Sequence, residues 1–166
     1  MVPSITGRAI DSDAAVVLRE IMVKAQVPHC VITSTIRTAA DQARIMYNNC
    51  LVHGVAAQKR LYAAAGDEVV QVFADRRNLG RAEVQNLMRA KIIQLHAQGR
   101  RVSRHIEMPG DKWWVIDIAP SSIADDKEAA FVAAAKAHPR VVKILTPDNS
   151  DPAFHLEISK ETARVT

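Results

Sequence analysis

The sequence predicts an α+β fold, in which a small, mainly antiparallel sheet carries helices packed on one face. Helical hydrophobic periodicity fills the first two-thirds of the chain, whereas short β-branched runs cluster in the last third instead of alternating with helices. A length of 166 residues, with 48% hydrophobic and 24% charged residues, is typical of one ordinary globular domain. We therefore predict a single domain over residues 1–166.

The first part of the chain is predicted to hold one strand among several helices. Apolar residues recur at helical spacing over residues 12–26, and Pro28 ends that helix. The short β-branched run 30–36 predicts a strand, and Thr38 is well suited to cap the N-terminus of the next helix. The further predicted helices are 39–49, 56–65, 67–77 and 81–98, the last ending before Gly99.

After Gly99 the sequence changes from helical periodicity to short runs that predict strands. Two short strands are predicted on either side of the turn-forming segment Met-Pro-Gly-Asp-Lys at residues 108–112, as a hairpin or as adjacent strands. One covering helix and two more strands follow. In order, these elements are strands 101–106 and 113–118, helix 124–137, and strands 141–145 and 154–158.

Charge and composition exclude several classes of protein. A net charge of +4 and a pI near 9.3 favour anionic partners. The basic residues are scattered, and only seven residues are aromatic, which argues against a nucleic-acid-binding module. No apolar run reaches the roughly 20 residues of a membrane span, and the N-terminal pattern is not that of a signal peptide. We expect no membrane insertion, no signal peptide, and reduced, packed thiols at Cys30 and Cys50.

Three residues of the last third have the chemistry of metal ligands. Period-two alternation on the last strand places His155 and Glu157 on the face opposite its apolar residues. Asp117 lies in a strongly apolar strand, where a carboxylate needs a partner or a metal. His105 ends the preceding predicted strand. Two imidazoles and a carboxylate are three ligands, which leave a zinc ion one open position, although a structural or surface role is the alternative for each histidine.

The segments that carry these residues resemble a known family. They read Ser-Arg-His at 103–105, Asp-Ile-Ala-Pro at 117–120 and Asp-Pro-Ala-Phe-His-Leu-Glu-Ile at 151–158. Upstream, residues 33–42 read Thr-Ser-Thr-Ile-Arg-Thr-Ala-Ala-Asp-Gln. Together they are similar to the D-alanyl-D-alanine carboxypeptidase-like zinc peptidases. The resemblance implies a Hedgehog/DD-peptidase fold.

The resemblance also implies a role for each residue. His105, Asp117 and His155 would bind Zn²⁺, and Arg37 would bind a substrate carboxylate or stabilise the transition state. A guanidinium group suits stem peptides because it can hold a carboxylate through two hydrogen bonds. Ser103 would contact substrate or adjust His105. The sequence departs from the family pattern in two ways. The segment between His105 and Asp117 is longer, and the acid that serves as general base is not at its usual position.

The general base is the least determined of these roles. Pro152 stands where the family has its acid. Asp151 is the nearest candidate, and Glu157, on the same strand face as His155, is the next. A base must reach the attacking water directly or through one further water.

The expected activity is hydrolysis of cell-wall stem peptides, by an endopeptidase for L-alanyl-D-glutamate or by a D,D-carboxypeptidase. The expected partners are bacterial peptidoglycan and, for a virion-borne enzyme, phage virion or tail proteins. The lack of a signal-peptide pattern favours a phage lysis protein or virion component. The alternative is an inactive virion structural or wall-binding domain with the same fold, and a nucleic-acid binder is the third hypothesis.

Overall fold

The computed structural model describes residues 2–108, 110–149 and 152–161. Over these residues the chain is α+β, with about 53% helix and 19% strand, as the sequence predicts. The residues divide into two compact units by their contacts. The first unit is formed by the described parts of Met1–Ile36 and Asp111–Thr166, and the second by those of Arg37–Gly110. That the whole chain is one domain stays a prediction.

The first unit contains a five-stranded mixed sheet. Its strands stand in the order β1-β2-β3-β5-β4, and three of the four pairs are antiparallel, while β1 and β2 are parallel. The edge strand β4 pairs with β5 through an irregular register between Val141 and Lys143. The strands are β1 Ser4–Gly7, β2 His29–Ser34, β3 Trp113–Ile118, β4 Val141–Leu145 and β5 Phe154–Ser159.

Two helices complete the first unit. They are α1, Ser12–Ala25, and α6, Asp125–Lys136. Asp11 caps α1 by accepting the Asp13 N–H at 2.9 Å, and Gln26 ends the helix in the left-handed conformation. The core contains buried residues of both helices and of β2, β3 and β5, including Leu18, Phe131 and Leu156.

The second unit is helical. Its helices are α2 Ala39–His53, α3 Val55–Leu61, α4 Ala64–Asp75 and α5 Arg81–Ala97. They pack around their own buried cluster, which includes Met46, Val69 and Met88. The apolar faces of α2–α5 are therefore buried against one another. Periodicity predicted that these faces are buried, but not against which element.

One strand prediction is wrong, and one strand was not predicted. Residues 101–106 form turns with one isolated bridge, between Arg37 and Ile106, and no hairpin with β3. Only Val102, His105 and Ile106 of that segment are buried, so its apolar residues do not alternate as those of a strand do. Strand β1 was missed because it is short and mostly exposed.

The predictions for Thr38, Cys30 and Cys50 are confirmed. Thr38 caps α2, and Cys30 and Cys50 are buried thiols without a disulfide. No helix among the described residues is long and apolar enough to span a membrane.

Candidate functional site

Asp117 and His155 face each other across neighbouring strands. Ile116 and Ile118 of β3 contribute to the core of the first unit, so period-two alternation directs Asp117 to the opposite face of the sheet. The antiparallel register sets Asp117 opposite His155 on β5. Asp117 Oδ1 lies 2.9 Å from His155 Nδ1, and the two side chains are 14% and 6% exposed. A carboxylate this buried requires a compensating partner, which the imidazole or a cation can provide.

Glu157 approaches the other nitrogen of the same ring. Its Oε1 lies 3.5 Å from His155 Nε2, and Glu157 is only 2% exposed. The prediction that His155 and Glu157 share a strand face is consistent with this contact. The His155 imidazole therefore has a carboxylate at each of its two nitrogens.

His105 is held by the turn that replaces the predicted strand. Its backbone N–H donates to Ser103 Oγ at 3.3 Å, and its carbonyl accepts the Arg37 N–H at 2.6 Å. His105 is 9% exposed. The hydroxyl of Ser103 thus shapes the backbone at His105, and Arg37 lies directly beside that histidine in the second unit.

The predicted ligands have the donor chemistry that divalent metals accept. Asp117 and His155 offer a carboxylate oxygen and an imidazole nitrogen 2.9 Å apart within the first unit, and His105 lies in the second unit. Imidazole and carboxylate donors fit a zinc ion chemically, and they also fit other divalent metals that accept imidazole.

Arg37 belongs to a chain of hydrogen bonds in the second unit. Thr38 caps α2 immediately after Arg37, and Arg37 Nη1 donates to Gln42 Oε1 at 3.2 Å. Gln42 Nε2 in turn donates to the Tyr62 hydroxyl at 3.3 Å, and Gln42 is fully buried. Burial raises the pKa of Tyr62 above its ordinary value, although the nearby positive charge of Arg37 opposes this. The hydrogen bond to Gln42 therefore restricts the orientation of the Arg37 guanidinium group.

Tyr62 is the residue that the sequence analysis missed. It follows α3, twenty positions beyond Gln42, so neither periodicity nor local spacing connects the two residues. Gly66 supplies the space for its ring, because a Cβ atom added there would lie 2.5 Å from Tyr62 Cβ. The contact between Gln42 and Tyr62 is apparent only in the folded structure.

The predicted general base, Asp151, lies outside the described residues, and nothing is concluded about its geometry. Pro152, which follows it, is exposed. Of the two acids considered for this role, Glu157 is the one that the structure describes.

No protein-family model, no curated protein and no solved structure matches this chain. The resemblance to zinc peptidases stays a prediction from the sequence.

Proposed function

We propose that this chain is a zinc-dependent peptidase that cuts the stem peptides of bacterial peptidoglycan, with a Hedgehog/DD-peptidase fold and a phage origin. The observation that carries this proposal is the largely buried pair of Asp117 and His155, whose Oδ1 and Nδ1 atoms lie 2.9 Å apart on neighbouring strands. The residue types of His105, Asp117 and His155 and their order along the chain resemble those of the zinc peptidases, apart from the longer segment before Asp117 and the Pro152 that replaces the family's acid.

The three ligands would hold the metal and leave room for water. When bound, zinc supplies a Lewis acid that makes water nucleophilic at neutral pH and polarises an amide carbonyl. The buried positions of Asp117 and His155 strengthen electrostatic interactions, since little water screens them. These residues bind and orient, and they do not themselves form a bond to the substrate.

Arg37 would bind a carboxylate of the stem peptide. Its hydrogen bond to Gln42 reduces the number of guanidinium orientations, so less conformational entropy is lost when a substrate binds. The backbone hydrogen bond between Arg37 and His105 keeps this anion-binding group beside a proposed metal ligand. Ser103 supports that turn through the His105 N–H. Asp151 remains our proposed general base, and both the endopeptidase and the D,D-carboxypeptidase reactions are consistent with these roles.

The test combines metal analysis with hydrolysis of purified peptidoglycan. We expect about one zinc ion per chain and new peptide ends that appear with time. His155→Ala should lose both, because it removes one of three ligands. His53→Ala is the matched control, since His53 is exposed at the end of α2 and should retain both properties.

The results separate this proposal from its rival. Zinc binding without any hydrolysis, together with retained binding to the wall, would favour an inactive virion or wall-binding domain. If the protein binds no zinc and leaves peptidoglycan intact, the proposed function is wrong.

A further inference from the structure

We infer that Glu157 is a positioning residue for the metal ligand His155 and not the general base. This inference rests on the proposed function. Its basis is the contact between Glu157 Oε1 and His155 Nε2 at 3.5 Å, while His155 Nδ1 faces Asp117 Oδ1 at 2.9 Å. Asp117 and Glu157 therefore lie next to different nitrogens of the His155 ring.

The two nitrogens of an imidazole cannot both bind the same ion. In the metal-bound protein, the nitrogen near Asp117 is the one placed to share a cation with that carboxylate, so Nδ1 would carry the free electron pair. The proton of the neutral ring would then be on Nε2, which faces Glu157 Oε1 at 3.5 Å. A ligand histidine commonly donates its second N–H to a carboxylate in this way, which fixes both the tautomer and the orientation of the ring.

The position of Glu157 in the sheet is suited to this task. Strand β5 is hydrogen-bonded on both sides, and Glu157 is in register with Val115 of β3 and Lys143 of β4. Its backbone therefore cannot shift independently of the sheet. Glu157 lies two residues from His155, which puts both side chains on one face, and it is 2% exposed.

The same geometry argues against Glu157 as the base. A general base must reach the proton of the attacking water, which would lie near the metal and hence on the Nδ1 side of the ring. Glu157 lies on the Nε2 side. Strand alternation indicates the face on which Glu157 lies, but not which nitrogen of His155 it approaches, so the sequence alone left Glu157 as a candidate base.

Two substitutions distinguish the roles. Glu157→Gln keeps an oxygen that can accept the Nε2–H, whereas Glu157→Ala removes the acceptor. Each metal-depleted protein would be titrated with zinc in competition with a chelator of known affinity, and hydrolysis of peptidoglycan would be followed in parallel. Glu83→Gln, at an exposed position of α5, is the control.

We expect Glu157→Gln to bind zinc within a few-fold of wild type and to retain most activity. Glu157→Ala should bind zinc about 10- to 100-fold more weakly, which is the usual effect of removing such a partner. Nitrogen NMR of the zinc-loaded wild type and Gln variant should show a protonated Nε2 on His155. Circular dichroism would establish that each variant is folded, and the Gln variant alone decides the matter if the Ala variant does not fold.

These experiments can overturn the role of Glu157 without overturning the proposed function. If Glu157→Gln binds zinc normally but loses hydrolysis more than about 100-fold, a loss within the range of about 10²- to 10⁴-fold expected for general-base catalysis, Glu157 is the base and the inference is overturned while the proposed function stands. Unchanged zinc affinity in a folded Glu157→Ala also overturns the inference alone. Absence of zinc binding by the wild type overturns both.

Discussion

Gln42 connects Arg37 to Tyr62 by using both ends of its side-chain amide. The oxygen accepts from the guanidinium group and the nitrogen donates to the phenol, at 3.2 and 3.3 Å. Since Gln42 is fully buried, the loss of either partner would leave a polar atom without compensation from water. The orientation of Arg37 therefore depends on a phenol that is distant in the sequence.

Replacement of Tyr62 by phenylalanine tests this arrangement. The substitution removes one hydroxyl and leaves Gln42 Nε2 without that acceptor, so we expect the free energy of unfolding at pH 7 to fall by about 1–3 kcal/mol. Chemical denaturation with urea measures it. A change within about 0.3 kcal/mol would show that the hydrogen bond contributes nothing to stability.

The same variant has a predicted pH dependence. The pKa of Tyr62 is raised by burial, so the folded state retains the phenolic proton more strongly than the unfolded state. This contribution to stability is complete below the ordinary tyrosine pKa of about 10 and is lost as the pH rises through the folded-state value. Wild type should therefore lose stability more steeply above pH 10 than Tyr62→Phe does.

The sequence predicted helices and strands correctly where a local signal determines the structure. The cap at Thr38, the helical periodicity of residues 12–26 and the strands around Asp117 and His155 were all predicted. It failed at residues 101–106, where the chain turns so that His105 and Arg37 can form a backbone hydrogen bond. Such a contact joins distant segments and leaves no periodic pattern.

Helix α2 provides the prediction at this scale. Thr38 Oγ1 accepts the Asp41 N–H at 3.1 Å and donates to the Asp41 carboxylate at 2.9 Å. The Thr38 hydroxyl is the largest cause of the lowered pKa of Asp41. Thr38→Ala should lower the free energy of unfolding by about 1 kcal/mol, and the pKa of Asp41 should move up towards its ordinary value.

Urea denaturation and an NMR titration of the Asp41 carboxyl measure these two effects. Thr38→Ser is the control, because it retains the hydroxyl and should leave the pKa low. An unchanged Asp41 pKa in the alanine variant would contradict the assigned cause.

Among the residues that the structure describes, the buried apolar side chains form two clusters. Met22, Met46 and Met88 lie on helices that the sequence predicts, and all three are fully buried. The sequence patterns could not show that Met22 belongs to one cluster and the other two to another. Apolar periodicity records that a face is buried, whereas the choice of neighbour depends on how the whole chain folds.

The helical cluster has its own testable contribution to stability. Met88→Ala would leave a cavity among α5 and its neighbours, and we expect the free energy of unfolding to fall by about 2–5 kcal/mol. Arg89→Ala is the control, since Arg89 is exposed on the same helix and should change stability by less than about 0.5 kcal/mol. Thermal and urea unfolding measure both variants, and equal effects would contradict the assignment of Met88 to a core.

The irregular edge strand β4 has a consequence for how molecules meet in solution. An outer strand exposes backbone donors and acceptors that a strand from another molecule can join. In β4 the register with β5 slips between Val141 and Lys143, and Lys143 is exposed on that strand. An edge strand with an irregular register and the positive charge of Lys143 is a poor template for pairing with a strand of another molecule. This edge of the sheet is therefore protected against aggregation by strand addition.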